Sequence, residues 1–175
     1  ASYLSRSDAR VVEGILKAFT KATTYDPNRL IPFLADPKIP RSELGQILLH
    51  HKDRLHLKGL LSSLDNVDKD SRSLLLRLTE HLATEHAIPD LILYTRNEDP
   101  TVRFSMVRIL ARFNSEAVRD ILLQLLTDPH KRIRQTALEG LADLTLPVAV
   151  GPLCQLLRDP EMAIRHKAKE VLIKL

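Results

Sequence analysis

Aliphatic residues recur in the C-terminal half of the chain at a regular period of about 31 residues. Three columns share this period: Val102, Ile133 and Ile164; Leu110, Leu141 and Leu172; and Phe113, Leu144 and Leu175. Within one copy the three positions fall on one face of an α-helix, so the pattern predicts a repeated amphipathic helix, which we name helix B. A second stripe predicts a helix A between successive B helices, and it comprises Leu122, Leu125 and Leu126 in one copy and Leu153, Leu156 and Leu157 in the next.

An arginine lies near the start of each predicted helix B. This register comprises Arg10, Arg41, Arg72, Arg103, Arg134 and Arg165, each one period after the one before. A fixed period of this length is typical of a solenoid, in which successive helix pairs stack and share one core. The sequence therefore predicts a single all-α array over residues 1–175, with about eleven helices in antiparallel pairs. Because the chain begins without Met and ends in an aliphatic pattern at Leu175, we expect it to be part of a longer protein.

Prolines and aspartates support the helix limits. Asp99, Asp128 and Asp159 each precede a proline where a helix B begins, so they are predicted N-caps with the proline in the first turn. The predicted B helices span residues 7–22, 40–51, 68–83, 100–113, 129–144 and 160–175, and the A helices span residues 27–35, 53–64, 86–96, 115–127 and 147–157. Pro32 and Pro152 lie inside two A helices and are expected to kink them or delay their start.

The composition agrees with helices that pack through aliphatic side chains. Five Gly, four Phe, three Tyr and no Trp leave the chain poor in the turn-forming and bulky aromatic residues of a β-sandwich. The fraction of apolar residues is 44% and the charged fraction is 27%, which is typical of a soluble globular protein.

The motif Asp-Pro-x-x-x-Ile-Arg-x-x-Ala-x-x-x-Leu resembles the HEAT repeat, in particular the short bacterial repeats called PBS-lyase HEAT-like. Residues 128–144 and 159–175 match best, and Asn97–Phe113 is a third copy in which Asp99-Pro100 is shifted by two positions. Toward the N-terminus the aspartate position holds Asn66 and Ala35. The resemblance implies an α-α superhelix whose B helices line a concave side.

The same resemblance implies a ladder of hydrogen bonds between stacked helix pairs. Its candidate residues are Arg72, Arg103, Asp128, Arg134, Asp159 and Arg165. Because a buried charge must be paired, we expect Arg134 and Arg165 to contact an Asp or Asn of the same or the adjacent repeat. This interpretation is favoured over an arginine stripe that binds nucleic acid.

A candidate partner-binding surface lies five and nine residues after two of the register arginines. It comprises Arg77, His81, Arg108 and Arg112, together with Phe104, which is one turn before Arg108 and is expected to be exposed. The homologous positions one repeat later are acidic, namely Glu139 and Asp143. We interpret the basic residues as a surface for an acidic segment of another protein or of another domain of the same protein. The alternative is a solvated face that Glu80, Glu139 and Asp143 neutralise.

Sequence motifs of the common enzyme classes and metal sites are absent. The chain has no Gly-rich phosphate loop, Gly-x-Ser-x-Gly, His-Glu-x-x-His or Cys-x-x-Cys. The histidines occur as His50, His51 and His56 and as the pair His81 and His86, at spacings that spread the rings around a helix. We therefore predict a scaffold without catalytic residues, metal or cofactor.

Two other functions stay open as alternatives. The first is a nucleic-acid-binding HEAT-like domain similar to certain DNA glycosylases, although a net charge of only +4 and the absence of Trp disfavour a basic groove with stacked bases. The second is an enzyme of the bilin-lyase type, although no residue of this chain matches a catalytic motif of that group.

Cysteine content and hydropathy bear on the location of the protein. The single cysteine, Cys154, excludes an intramolecular disulfide and suits the reducing cytoplasm. Its place beside Leu153 in an apolar run predicts a small buried residue. No apolar stretch approaches the roughly 20 residues of a membrane-spanning helix, so we expect no insertion of this segment into a membrane.

Overall fold

The computed structural model describes residues 9–22 and 24–174, although not the side chains of residues 9–13 and 16. Leu175 and the side chain of Arg10, both predicted members of the repeat register, lie outside the described part of the chain. The described residues form ten α-helices and a nine-residue 3-10 helix at Pro27–Ala35, and they contain no strand. Several of the helices are extended by single 3-10 turns.

The chain divides into two compact units, Ala1–Ala83 and Thr84–Leu175. The first unit contains the 3-10 helix and four α-helices: α1 (Ala9–Lys21), α2 (Arg41–His50), α3 (Leu57–Ser62) and α4 (Lys69–Leu82). The second unit contains six: α5 (Ile88–Tyr94), α6 (Pro100–Leu110), α7 (Glu116–Leu125), α8 (Lys131–Asp143), α9 (Val150–Gln155) and α10 (Met162–Lys174). That the two units form a single array over the whole chain stays a prediction.

Each of the eleven predicted helices has a counterpart, so the all-α class and the HEAT-like organisation are confirmed. Four of the five A helices are shorter than predicted, whereas the first spans the predicted residues 27–35 as a 3-10 helix. Pro32 lies inside the 3-10 helix Pro27–Ala35, since a residue without an N–H cannot continue the α-helical hydrogen bonds. Pro152 falls in the first turn of α9, which begins at Val150 and thus later than the predicted residue 147.

Residues of the repeating apolar columns supply much of the core of the second unit. Helix α8 packs against α6 and α10, and α7 packs against α8. Val102, Ile133 and Ile164 are at most 1% exposed, and full burial of one such side chain contributes about 1.5–3 kcal/mol to folding. Leu110 and Leu141 of the next column are also buried, whereas Leu172 and the third-column residues Phe113 and Leu144 are only half-buried.

A glycine allows α8 to approach the end of α6 closely. A Cβ atom added at Gly140 would lie only 2.8 Å from the Cβ of Ala111 and 3.1 Å from Cδ1 of Leu122. Such distances are shorter than carbon atoms tolerate, so a side chain at this position would push the two helices apart.

The first unit has a mainly aliphatic core, in which Thr79 is a fully buried polar residue. Leu44, Leu48, Leu60 and other leucines of this unit are fully buried. Thr79 on α4 lies seven residues after Arg72, at the position that leucine holds in the second unit. It is 0% exposed, and its Oγ1 has no hydrogen-bond partner among the described residues.

The cysteine prediction was wrong, because Cys154 is exposed. Helix α9 turns Leu153 inward, and the adjoining Leu156 is also buried, at 0% and 5% exposure. The residue directly after Leu153 is rotated by about 100° around the helix and therefore faces away from the core.

Candidate functional site

Two of the three aspartates that precede a proline in the second unit lie in turns in front of helices. Asp128 Oδ1 accepts a hydrogen bond from the backbone N–H of His130 at 2.7 Å, and Asp159 Oδ1 accepts one from Glu161 at 2.9 Å. Because α8 and α10 begin only at Lys131 and Met162, neither aspartate is an N-cap as predicted. Of the three predicted N-caps only Asp99 is one, and it accepts from the N–H of Thr101 at 2.7 Å.

Arg134 joins two successive repeats through both sides of its guanidinium group. Its Nε donates to Oδ2 of Asp159 at 2.7 Å, and its Nη2 donates to Oδ1 at 3.0 Å. Its Nη1 donates to the carbonyl oxygens of Asp128 at 2.9 Å and Pro129 at 3.2 Å, in the turn before its own helix. The planar guanidinium thus bridges the turn of one repeat and the carboxylate of the next.

Arg103 repeats this arrangement one repeat earlier. Nε and Nη2 donate to the carboxylate of Asp128 at 2.9 and 3.3 Å, and Nη1 donates to the carbonyl oxygens of Asn97 and Glu98 at 2.8 and 2.9 Å. The carboxylate side chains of Asp128 and Asp159 are only 6% and 3% exposed. We call each of these two bidentate Arg–Asp pairs a rung.

Electrostatics favour the ionised form of both partners in the rung of Arg134. The hydrogen bond to Asp159 raises the pKa of Arg134. Burial is the largest single influence on Asp159 and by itself raises its pKa. Hydrogen bonds from Arg134 and the Glu161 amide, together with the charges of Arg134 and Arg165, outweigh burial and hold the pKa of Asp159 below its usual value.

The other register arginines retain parts of the same geometry. Arg165 donates from Nη1 to the carbonyl oxygens of Asp159 at 2.7 Å and Pro160 at 2.9 Å. Arg72 donates to the carbonyl oxygens of Leu64 and Val67 at 2.9 and 3.2 Å. Donation to the preceding turn is therefore common to Arg72, Arg103, Arg134 and Arg165.

A second polar link between repeats was missed in the sequence. Asn114 donates from Nδ2 to Oγ1 of Thr145 at 2.7 Å, and the backbone N–H of Thr145 donates to Oδ1 of Asn114 at 3.2 Å. The two residues are 31 positions apart, so each occupies the same place after its helix B. A search for polar pairs at the repeat period would have found them.

The predicted partner-binding residues of the second unit lie on and just after α6. Arg108 and Arg112 are exposed, but Arg112 follows the end of α6 and lies in a turn. The expectation of an exposed aromatic is wrong, because Phe104 is half-buried and the guanidinium of Arg132 covers its ring at 4.6 Å from the centroid. Sequence reasoning missed Arg132, which adds a third exposed arginine here.

The remaining two predicted residues, Arg77 and His81, belong to the first unit on α4. Arg77 is exposed. His81 Nε2 lies 2.9 Å from Oδ1 of Asp53, and this hydrogen bond lowers the pKa of the Asp53 carboxyl. The contact partly offsets the basic character that the sequence predicted for this position.

The described residues contain neither a cluster of metal ligands nor a membrane-spanning helix. Across residues 9–22 and 24–174, no three His, Cys, Asp or Glu side chains converge as a metal site would require. No helix in the described part of the chain combines the length and apolar character needed to cross a membrane.

Helix pairs that recur at the period of the arginine register, joined by Arg–Asp rungs, define a helical repeat protein. The family model described as HEAT repeats matches residues 88–173, a range that includes α5 to α10 and both rungs. The chain therefore contains HEAT-like repeats across residues 88–173. A search of curated proteins finds no match to it.

Proposed function

We propose that the chain is a non-catalytic protein-binding scaffold that holds an acidic segment of another protein, or of another domain of the same protein. HEAT repeats commonly serve as surfaces for protein interaction, because stacked helix pairs present extended rows of side chains. We place the scaffold in the cytoplasm, since Cys154 is the single cysteine and the fold is held by packing and hydrogen bonds.

The observation that carries the proposal is the group of three exposed arginines around Phe104. Arg108 follows Phe104 by one helical turn, Arg112 follows by a second interval of four residues, and Arg132 lies over the ring from α8. Arginine and aromatic residues are enriched among the residues that dominate protein interfaces. We call Phe104, Arg108, Arg112 and Arg132 the arginine cluster.

The rungs support this role because they hold the cluster on a defined scaffold. Helices α6 and α8 carry all but one member of the cluster, and the rungs of Arg103 and Arg134 begin in the same two helices. A surface whose supporting helices are fixed loses less conformational entropy when it binds. Arg77 and His81, on α4 of the first unit, are proposed as further partner-binding residues.

The test is a double charge reversal, Arg108→Glu with Arg112→Glu. We expect this variant to fold normally and to recover at least roughly tenfold less of the proteins that the wild-type chain captures, because like charges would then face an acidic partner. Quantitative mass spectrometry of affinity captures gives the recovery, and circular dichroism melts establish folding.

A matched control has the same change in net charge on other residues. Arg96→Glu with Arg158→Glu alters two exposed arginines that follow A helices, so its captures should equal those of the wild type. If the folded Arg108/Arg112 variant captures as much protein as the wild type, the arginine cluster is a solvated surface and not a binding site. Binding of duplex or single-stranded DNA with a steep salt dependence would instead favour a nucleic-acid-binding domain.

A further inference from the structure

A cavity with aromatic walls lies between the end of α1 and the 3-10 helix of the first unit. Its volume is about 580 Å³, within the roughly 300–1,000 Å³ that is usual for sites of small molecules. Its lining includes Phe19, Tyr25, Asp26, Arg29, Leu30 and Phe33. Four Phe and three Tyr are all the aromatic residues of the chain, so a large share of them lines this one cavity, which we call the aromatic cavity.

The core of the first unit does not require these rings. The buried leucines of the first two A helices align at a spacing of 30 residues, and this alignment places Ser63 at the position of Phe33. Phe19, Tyr25 and Phe33 are each only half-buried. The hydroxyl of Tyr25 is buried, and no described residue accepts its hydrogen bond, at a cost of about 1–3 kcal/mol. Stability alone therefore accounts for neither Phe33 nor Tyr25.

Hydrogen bonds and ring contacts fix the wall of the aromatic cavity. Asn28 donates from Nδ2 to Oδ1 of Asp26 at 2.7 Å and to the carbonyl oxygen of Arg54 at 3.0 Å. The ring of Tyr25 packs edge to face against Phe19, with the ring centroids 4.6 Å apart. Because the wall is already ordered, a ligand that binds there pays little for ordering it.

The charged groups at the cavity favour an anion over a cation. The carboxylate of Asp26 already accepts from the backbone N–H and from Nδ2 of Asn28. The guanidinium of Arg54 lies 5.9 Å from the centroid of the Tyr25 ring, so this ring already has a cation beside it. Arg29 is exposed, and its guanidinium forms no hydrogen bond or ion pair with residues 9–22 or 24–174. Its charge is the smallest of the influences that lower the pKa of Asp26.

We propose that the aromatic cavity binds a small molecule with an aromatic ring and one carboxylate. The ring of the ligand packs among Phe19, Tyr25 and Phe33 in the stacked or edge-to-face geometry that aromatic groups prefer. Its carboxylate accepts two parallel hydrogen bonds from the planar guanidinium of Arg29. The site shares no residue with the arginine cluster and does not depend on the proposed function.

The probe is β-naphthoate, titrated into the 175-residue chain and followed by isothermal titration calorimetry. Two further probes keep the fused rings and change the charge: β-naphthamide is neutral, and β-naphthyl-trimethylammonium is a cation. We expect saturable binding of β-naphthoate at one site per chain, with an affinity about tenfold higher than that of the amide, because a charge-assisted bidentate hydrogen bond is lost in the amide. The cation should bind more weakly than the amide.

Two variants separate the charge contact from the ring contacts. Arg29→Gln should bind β-naphthoate about tenfold more weakly and the amide unchanged, since only the guanidinium fork is lost. Phe33→Ser introduces the residue of the next A helix and should weaken both probes about tenfold. Arg96→Gln removes the same charge from an exposed position of the second unit, and it should bind all probes as the wild type does.

Circular dichroism melts establish that each variant is folded, and the exposed position of Arg29 keeps the test decisive even where Phe33→Ser unfolds the chain. Absence of saturable β-naphthoate binding up to its solubility limit would overturn the proposal. Equal affinity for the three probes, or unchanged β-naphthoate affinity in Arg29→Gln, would do the same. Tighter binding of the cation would replace the carboxylate site by an aromatic cage for ammonium groups.

Discussion

The two units of the chain share one arginine register but use it differently. In the second unit Arg103 and Arg134 reach buried carboxylates of the next repeat. In the first unit Arg41 pairs with Asp68 at 2.7 Å, and the two side chains are 43% and 31% exposed. Helix formation thus requires only the aliphatic columns, whereas a buried rung requires an aspartate at one position of each repeat.

Asp68 illustrates why the first unit lacks this type of rung at Arg41. The register places Asn66 where the second unit has Asp128, and Asp68 follows two residues later. Asp68 is the N-cap of α4, where it accepts from the N–H of Ser71 at 2.9 Å. A carboxylate that caps a helix at the surface meets its arginine in water, so the ion pair is screened.

The largest expected effect tests the difference between the buried rung of Arg134 and the exposed Arg41–Asp68 pair. Asp159→Ala leaves Arg134 partly buried without its carboxylate, and we expect it to lower the free energy of unfolding by about 3–5 kcal/mol. Asp68→Ala removes an exposed pair and an N-cap, which together contribute about 1–2 kcal/mol. Urea titrations of both variants give the two values, and equal losses would show that the rungs do not distinguish the units.

A smaller effect on the free energy of unfolding is expected when the pH is lowered. The folded state lowers the pKa of Asp159, so this group contributes stability above the ordinary carboxyl pKa of about 3.9, and the contribution is lost as pH falls through the lower folded value. The stability difference between the wild type and Asp159→Asn should therefore stay constant above about pH 5 and narrow as the pH falls below about 3.9. Carboxyls of the first unit with lowered pKa values, such as Asp68, are present in both proteins and cancel. A constant difference would contradict the assigned pKa shift.

The smallest effect concerns two buried threonines. Oγ1 of Thr79 in the first unit has no hydrogen-bond partner among the described residues, whereas Oγ1 of Thr95 in the second unit donates to the carbonyl of Ile92 at 2.7 Å. Thr79→Val should raise the free energy of unfolding by about 1 kcal/mol, because valine has the same shape without the unsatisfied hydroxyl. Thr95→Val should show no such gain. Denaturant midpoints of the two variants show whether the buried hydroxyl of Thr79 lowers the stability of the protein.

The helices were predictable from the sequence because the aliphatic columns repeat, so an error at one position is corrected by the others. Helix ends were less predictable, since they depend on single residues. The Asp-Pro pair at Asp128 resembles an N-cap with proline in the first turn, yet it forms a separate turn whose carboxylate serves Arg103. Local spacing gives no information about that partner, which lies 25 residues away.

The arginine cluster was predicted less completely than the helices, because it also depends on contacts between residues that are far apart in the sequence. Helical spacing placed Phe104 and Arg108 on one face, but the cover over Phe104 comes from Arg132, on another helix. Helix α6 ends at Leu110, before the predicted residue 113, so Arg112 lies in a turn. Contacts between helices depend on the reach of individual side chains, which a one-dimensional pattern does not contain.

The short sequence separation of the rungs has a consequence for folding kinetics. Arg103–Asp128 and Arg134–Asp159 each close a segment of 25 residues, and Asn114–Thr145 closes one of 31. Short segments lose little entropy on closure, and chains dominated by such contacts fold rapidly. In the second unit, a helix pair that has folded presents a carboxylate or a guanidinium group to its neighbour. Folding can therefore propagate in either direction along the chain, and no contact between distant segments has to form first.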